Sequence, residues 1–309
     1  MDRIDAMKAL LEVVRSGSFS AAARTLGIPT TSLTRRISEL EARLDARLLN
    51  RTTRSLTLTD AGATYVVAAR RIVEEVDEAE RAATGEYAEP RGELVITAPT
   101  MFGRLHVVPI VARFLAQYPH IDVRLLLTDA VVQLVDERVD LAVRLGTLAD
   151  SSLVARQVGV MRTVVCASPG FLKVHGMPAD PQAAAAMPTI AVGSIASQRH
   201  AWRLVDGTTG AWENVTITPR LSVTTNEAAV EAAVLGVGLT QQRLYQVADH
   251  LATGALRLCL RACEAPPAPV HVVQVARDYL PLKSRKFLDF AIPLLRERLA
   301  ALENMALTA

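Results

Sequence analysis

The chain has 309 residues, half of them apolar and 21% charged, with a formal net charge of +2, which is enough for two or three domains with their own cores. No apolar run approaches the roughly 18–20 residues of a membrane span; the longest candidate, Thr100–Leu115, is interrupted by Arg104, His106 and Arg113. The chain opens on charges (Asp2, Arg3, Asp5) where a secretory segment would be apolar, and its three cysteines have no framework spacing, so reduced thiols in a cytoplasm are expected.

The charge is unevenly spread. Residues 1–58 carry ten Lys and Arg against six Asp and Glu, whereas residues 59–89 carry three against eight. A basic head followed by an acidic rod fits a nucleic-acid partner at one end only.

In the head, Ile4, Met7, Leu10, Leu11, Val13 and Val14 recur at helical spacing and Gly17 closes the helix. Ser18 or Ser20 caps a second helix running to Leu26, whose alanines permit close approach. Gly27-Ile28-Pro29 makes a turn, the Thr30 and Thr31 hydroxyls are placed to cap a third helix, and Leu33, Ile37, Leu40 and Leu44 form its buried stripe. Its outward side offers Thr30, Thr31, Ser32, Thr34, Arg35 and Arg36. In a helix-turn-helix these positions meet base edges, hydroxyls suiting bases or phosphates and Arg suiting guanine or phosphate. The plainer alternative is a structural three-helix core with a solvated basic face. Leu48–Thr59 then reads as two short strands around a polar turn, a wing that places Arg51 or Arg54 against the phosphate backbone or minor groove.

Three stretches, GSFSAAARTLGI at Gly17–Ile28, TRRISELEARL at Thr34–Leu44 and RTTRSLTLTDAG at Arg51–Gly62, together resemble the signature of LysR-type transcriptional regulators. Asp45 stands where that family commonly has Gly, and Asp tolerates a left-handed backbone better than most residues. The resemblance implies a winged helix-turn-helix over 1–58 with Ser18, Ser20, Thr30, Thr31, Ser32, Thr34, Arg35, Arg36, Arg51 and Arg54 at DNA. It also implies double-stranded promoter DNA as partner, a bacterial, nucleoid-associated cytoplasmic setting, and contact with RNA polymerase.

Residues 59–89 read as a linker helix capped by Thr59. Tyr65, Ala69, Ile72, Val76, Ala79 and Ala83 follow at spacings of 4, 3, 4, 3 and 4, a period near 3.5 that marks a helix-pairing seam. The alternative is a single helix packed on the body. The family dimerises through this helix, and its usual assembly is a homotetramer made as a dimer of dimers.

From 90 onward strand and helix patterns alternate: Leu94–Ala98, Phe102–Tyr118, Asp122–Thr128, Val131–Arg138, Asp140–Leu145, Thr163–Ala167, Thr189–Val192, Asn226–Leu235, Gly238–Gln241, Ala255–Leu260, His271–Ala276 and Lys283–Ala300. An α/β body with a mainly parallel sheet is expected, with Pro293 bending or breaking the last helix. VDLAVRLG at Val139–Gly146 and TTNEAAVEAAVLGVGL at Thr224–Leu239 resemble the family's co-inducer domain, which has a periplasmic-binding-protein-like fold. That resemblance divides 90–309 into lobe I (about 91–166 and 269–309) and lobe II (about 167–268), with crossings near Cys166–Ser168 and Pro266–Pro269.

Ligands of open α/β sheets bind beyond the carboxyl ends of strands. This rule selects Pro99, Thr100 and Met101, then Gly146 and Thr147, then Ser194 and Ile195, and finally Thr225 and Asn226 at a helix start. A small anionic organic effector contacted by Thr100, Ser194 and Thr225 is expected, with Arg144 or Arg199 as counter-charge. The alternative makes Thr100 and Thr225 simple caps and pairs Arg144 with Asp140. After Gly238 the chain departs from the family, which often continues with an apolar pair and Pro; here Thr240-Gln241-Gln242-Arg243 follows.

Enzyme signatures are lacking. Gly236-Val237-Gly238 has no third glycine, no P-loop, HExxH or GxSxG occurs, and Cys259 and Cys263 have no second pair or nearby His for a metal. No cofactor is implied. The rival to a regulator is a cytoplasmic metabolite-binding protein or enzyme carrying a structural helical head.

Overall fold

The computed structural model describes residues 2–51, 56–83, 89–130, 134, 137, 139–148, 153–193, 200–276 and 280–308. The chain divides into two compact units, Met1–Glu89 and Pro90–Ala309.

The first unit opens with α1 (Arg3–Ser16), α2 (Phe19–Leu26) and α3 (Thr30–Leu44). Each boundary has a local cause. Asp2 caps α1, its carboxylate accepting from the Ile4 amide at 3.0 Å, and Gly17 ends it in the left-handed region. Ser18 caps α2, accepting from the Ala21 amide at 3.1 Å, so that helix begins at Phe19 and Ser20 lies inside it. Pro29 precedes α3 and no side chain caps it, because Thr30 and Thr31 already belong to the first turn. Asp45 closes α3 at φ 48°, ψ 38°, so the acid does take the left-handed conformation that a glycine would supply. Leu10, Leu33, Ile37 and Leu40 are fully buried where the three helices meet.

Strands β1 (Leu49–Arg51) and β2 (Leu56–Leu58) pair antiparallel, Leu49 opposite Leu58. The Glu41 carboxylate on α3 accepts from the Leu48 and Leu49 amides at 2.8 and 3.1 Å, tying the wing to the third helix. The long helix α4 (Asp60–Ala83) starts beside it. The Thr59 hydroxyl donates to the Arg47 carbonyl and accepts from the Gly62 amide. A Cβ at Gly62 would land on the Leu48 carbonyl oxygen, so only glycine permits this approach. Val66, Ala69 and Val73 of α4 are buried, and Lys8 of α1 pairs with Asp77 at 2.8 Å.

The second unit holds two five-stranded sheets. In the first, β3 (Gly92–Ala98) runs parallel to β4 (Ile121–Leu127) and β5 (Leu141–Leu145). Helix α5 (Thr100–Phe102), a π turn at Gly103–Val107 and α6 (Val108–Gln117) connect β3 to β4. This sheet is completed by β6 (Leu153–Met161) and, from much later in the chain, β14 (Ala268–Val275), which lies antiparallel between β5 and β6. The second sheet has the order β11-β8-β12-β7-β13, built from β7 (Thr163–Ala167), β8 (Thr189–Val192), β11 (Pro219–Val223), β12 (Leu239–Arg243) and β13 (Arg257–Cys259). Its helices are α7 (Pro169–His175), α8 (Pro181–Ala185), α9 (Asn226–Val234) and α10 (Leu244–Ala252). A separate antiparallel hairpin, β9 (His200–Val205) with β10 (Trp212–Ile217), packs Trp202, Leu204, Val215 and Ile217 into this lobe's core. Helix α11 (Leu282–Thr308) ends the chain.

In each sheet four of the five strands run the same way, as expected, and one strand, β14 in the first and β7 in the second, runs against them. Two sequence expectations change. The first crossing falls at Arg162, between β6 and β7, so Thr163–Cys166 belongs to the second lobe instead of the first. Pro293 does not break α11; its missing amide costs one backbone bond, while Phe287, Leu288, Ala291, Leu295 and Leu299 remain buried along the helix. Nearly all of the helix expected at Val131–Arg138 lies outside the described residues.

Candidate DNA-reading edge and effector cleft

Two surfaces can carry function, one in each unit. On the first, Ser18, Ser20, Thr30, Thr31 and Arg35 are exposed, and Ser32, Thr34 and Arg36 are half-buried. Thr34 donates its hydroxyl to the Thr30 carbonyl at 2.9 Å, so it presents oxygen lone pairs outward instead of a donor. Arg35 is held loosely by Glu39 at 3.5 Å, and its side chain stays 79% exposed, which leaves the guanidinium available to an anion. Arg51 ends β1, while Arg54 lies outside the described residues. Sequence reasoning missed Glu41, whose two amide bonds set where the wing begins.

On α4 the seam residues divide. Ala69 is fully buried within its own chain. The face of α4 that packs in its own unit carries Val66, Ala69 and Val73, with Tyr65 packed against the same core, so it overlaps the expected seam at Tyr65 and Ala69. Tyr65, Ile72 and Val76 are half-buried, Ala79 is exposed, and Ala83 is the last residue of the helix. Val67 is 47% exposed, an apolar side chain with no cover in a single chain.

In the second unit a cleft of about 710 Å³ opens between the two sheets, within the usual size range of small-molecule sites. Pro99, Gly146, Thr147 and Asn226 line it, as the strand-end rule expects. Thr100, Met101, Arg144 and Thr225 do not. Thr100 instead donates its amide to Asp129 at 3.1 Å, Met101 is buried, and Thr225 caps α9 by accepting from the Ala228 amide at 3.3 Å. Burial holds the Arg144 guanidinium below its ordinary pKa, and Asp140 accepts from the Val95 amide at 2.9 Å. Ser194, Ile195 and Arg199 lie outside the described residues.

Among the described residues the cations that face the cleft are Arg203 and Arg243. Arg203 stacks over the Trp212 ring, 4.0 Å from its centroid. Arg243 donates to the Thr163 hydroxyl at 2.8 Å, and desolvation lowers its pKa from the ordinary value. No carboxylate pairs with either of them among the described residues. Unneutralised guanidinium groups in a partly desolvated cleft favour an anion. The one sequence signal for this wall was the polar run Thr240–Arg243.

Behind the cleft, Arg162 at the first crossing meets Glu264 at the second through two bonds of 2.8 Å. Their side chains are only 16% and 10% exposed. The three cysteines are free and buried, and burial pushes the Cys166 thiol up to about 12 and that of Cys259 up to about 11, leaving neither a reactive thiolate. Among the described residues no group of three or more His, Cys, Asp or Glu could hold a metal, and no helix is long and apolar enough to cross a membrane.

Comparison with known proteins agrees with this division. Residues 4–63 match the family described as "Bacterial regulatory helix-turn-helix protein, lysR family", and residues 88–296 match "LysR substrate binding domain". An HTH-type transcriptional regulator of Xanthomonas campestris is 37% identical over 286 residues, covering 91% of this chain and 82% of that protein. The HTH-type transcriptional activator AaeR of Escherichia coli is 30% identical, covering 92% and 91%. Among solved structures, CrgA, a LysR-type regulator from Neisseria meningitidis, superposes with a TM-score of 0.60 at 30% identity, covering 94% of this chain and 98% of that one.

Proposed function

Because the chain belongs to the LysR family of transcriptional regulators, whose members bind DNA and a small effector, we propose that it is a sequence-specific regulator controlled by a small anionic organic molecule in the cleft. Its relatives are named transcriptional regulators, not enzymes. The observation that carries the effector reading is the pair of guanidinium groups, Arg203 and Arg243, facing the cleft with no carboxylate partner among the described residues. In this reading Thr30–Arg36 is the edge presented to the major groove, and Arg51 and Arg54 add phosphate or minor-groove contacts from the wing.

Two chains pair through α4, so that two recognition helices meet an inverted repeat, and a tetramer forms as a dimer of dimers. Tyr65, Ile72 and Val76, half-buried in one chain, supply that pairing, with the exposed Val67 beside them. Effector binding alters DNA bending or contact with RNA polymerase. The reading places the protein in a bacterial cytoplasm, on the nucleoid.

The test is an electrophoretic shift with the DNA upstream of the protein's own gene at several salt concentrations. Binding that weakens steeply with salt is expected; no salt-dependent binding, with or without added organic acids, removes the regulator reading. Ile72→Asp is expected to abolish dimers and DNA binding together. Full-strength binding by a monomer of this variant would overturn the pairing.

A further inference from the structure

The cleft wall beside the hairpin is built on one face of β12. Side chains alternate along this strand, so Gln241 and Arg243 share one face, about 7 Å apart, while Thr240 and Gln242 share the other. Gln242 turns to the buried face, where its amide donates to the Thr240 hydroxyl at 2.9 Å. The Gln241 amide donates to the Arg203 carbonyl at 3.3 Å, which ties β9 to β12 and puts Arg203 and Arg243 on one wall of the cleft. Each cation has its own anchor. Arg203 stacks on Trp212, its diagonal neighbour across the hairpin, and Arg243 donates to Thr163, which lies opposite it on β7. Two guanidinium groups held apart in this way are not both filled by one carboxylate, whose two oxygens a single planar fork already occupies. Asp129, the one carboxylate among the described lining residues, accepts from the Thr100 amide at 3.1 Å and pairs with neither arginine.

We propose that the effector is an organic dicarboxylate, with one carboxylate on Arg203 and the other on Arg243. Its carbon chain lies against the apolar surface of the same cleft, to which Trp212 and Pro267 contribute. The two arginines determine specificity together, because a monocarboxylate leaves one guanidinium uncompensated. This inference rests on the anionic-effector reading and adds to it the requirement for a second charge.

Matched acids test it with the full-length chain at pH 7, where every carboxyl group is ionised: succinate against butyrate, glutarate against pentanoate, and adipate against hexanoate. Binding is read by calorimetry and by shift of the melting temperature at millimolar concentration. In at least one pair the dicarboxylate is expected to bind about tenfold more tightly than its partner, since it makes one more charge-assisted pair. The chain length that gives the largest ratio reports the spacing of the two cations. Arg203→Gln and Arg243→Gln are each expected to bring that ratio to within about twofold of unity, because either leaves a single cation. The wild-type ratios serve as the test even if a substituted chain does not fold. A ratio that survives either substitution overturns the assignment to these two residues. Equal binding within every pair overturns the second charge and leaves the anionic reading intact. Binding by none of the six acids overturns both.

Discussion

The DNA-reading edge and the effector cleft are built in opposite ways. Thr30–Arg36 is one continuous stretch of about two helical turns, positioned by the buried stripe Leu33, Ile37 and Leu40 on its other side. The cleft gathers Pro99, Asp129, Thr163, Arg203, Gln242 and Pro267 from both sheets, a hairpin and a crossing. A contiguous reading edge depends on its helix staying packed. A cleft made from distant segments depends on how those segments are held together. Damage to packing should therefore silence the first surface outright, while damage to a tie between segments should alter the second.

The largest effect expected is for Ile37→Asp, which buries a carboxylate at a fully buried position. A loss of about 4 kcal/mol or more follows, seen as loss of the head's melting transition and of DNA binding while the body's transition stays. Loss of both transitions at once would show that the units do not fold separately. Next is Arg162→Ala, which leaves Glu264 buried without its partner. About 3–5 kcal/mol of body stability should go, measured by denaturant unfolding, with DNA binding in the cold largely kept.

A third test uses pH. His106 sits in the π turn between the Phe102 and Tyr245 rings, at 4.8 and 5.6 Å, with neither ring nitrogen hydrogen-bonded. Burial lowers its pKa from 6.5 to about 4, with Arg298 adding to the shift and Asp249 opposing it. The folded body thus prefers neutral His106. Stability is full above about pH 6.5 and is lost as pH falls from there toward 4, because the unfolded chain takes up the proton first. Between pH 7 and 5 the loss should be about 2 kcal/mol, and His106→Phe should remove that part of the slope; an unchanged slope refutes the assignment. The smallest effect is Ser18→Ala, which removes the α2 cap at about 1 kcal/mol, with a modest fall in DNA affinity measured by titration.

The same contrast explains what could be read in advance. Head boundaries follow from neighbours a few residues apart: Gly17, Ser18, Pro29 and Asp45 each act within one turn, so the sequence displays them. Gly62 was visible as part of a motif, but its reason, contact with the Leu48 carbonyl, needs the folded wing. In the body most strands were legible, but β6, β9, β10 and β11 were not among them, and the assembly was not legible. Met161-Arg162-Thr163 has no turn signal, yet the chain changes sheets there. Gln242 and Arg243 stood out only as a departure, and nothing in their spacing joins them to Asp129. Pro293 does not break α11 because burial along the helix outweighs the local rule.

The hairpin β9–β10 makes its ladder bonds internally and joins neither five-stranded sheet. Its inner face is committed to the core through Trp202, Leu204, Val215 and Ile217, while its outer face brings Arg203 and Trp212 to the cleft. Alternation along the two strands thus separates holding from recognising. Substitutions on the outer face can retune what the cleft accepts without disturbing either sheet, and that makes this hairpin an exchangeable part through which ligand preference can drift while the scaffold is inherited unchanged.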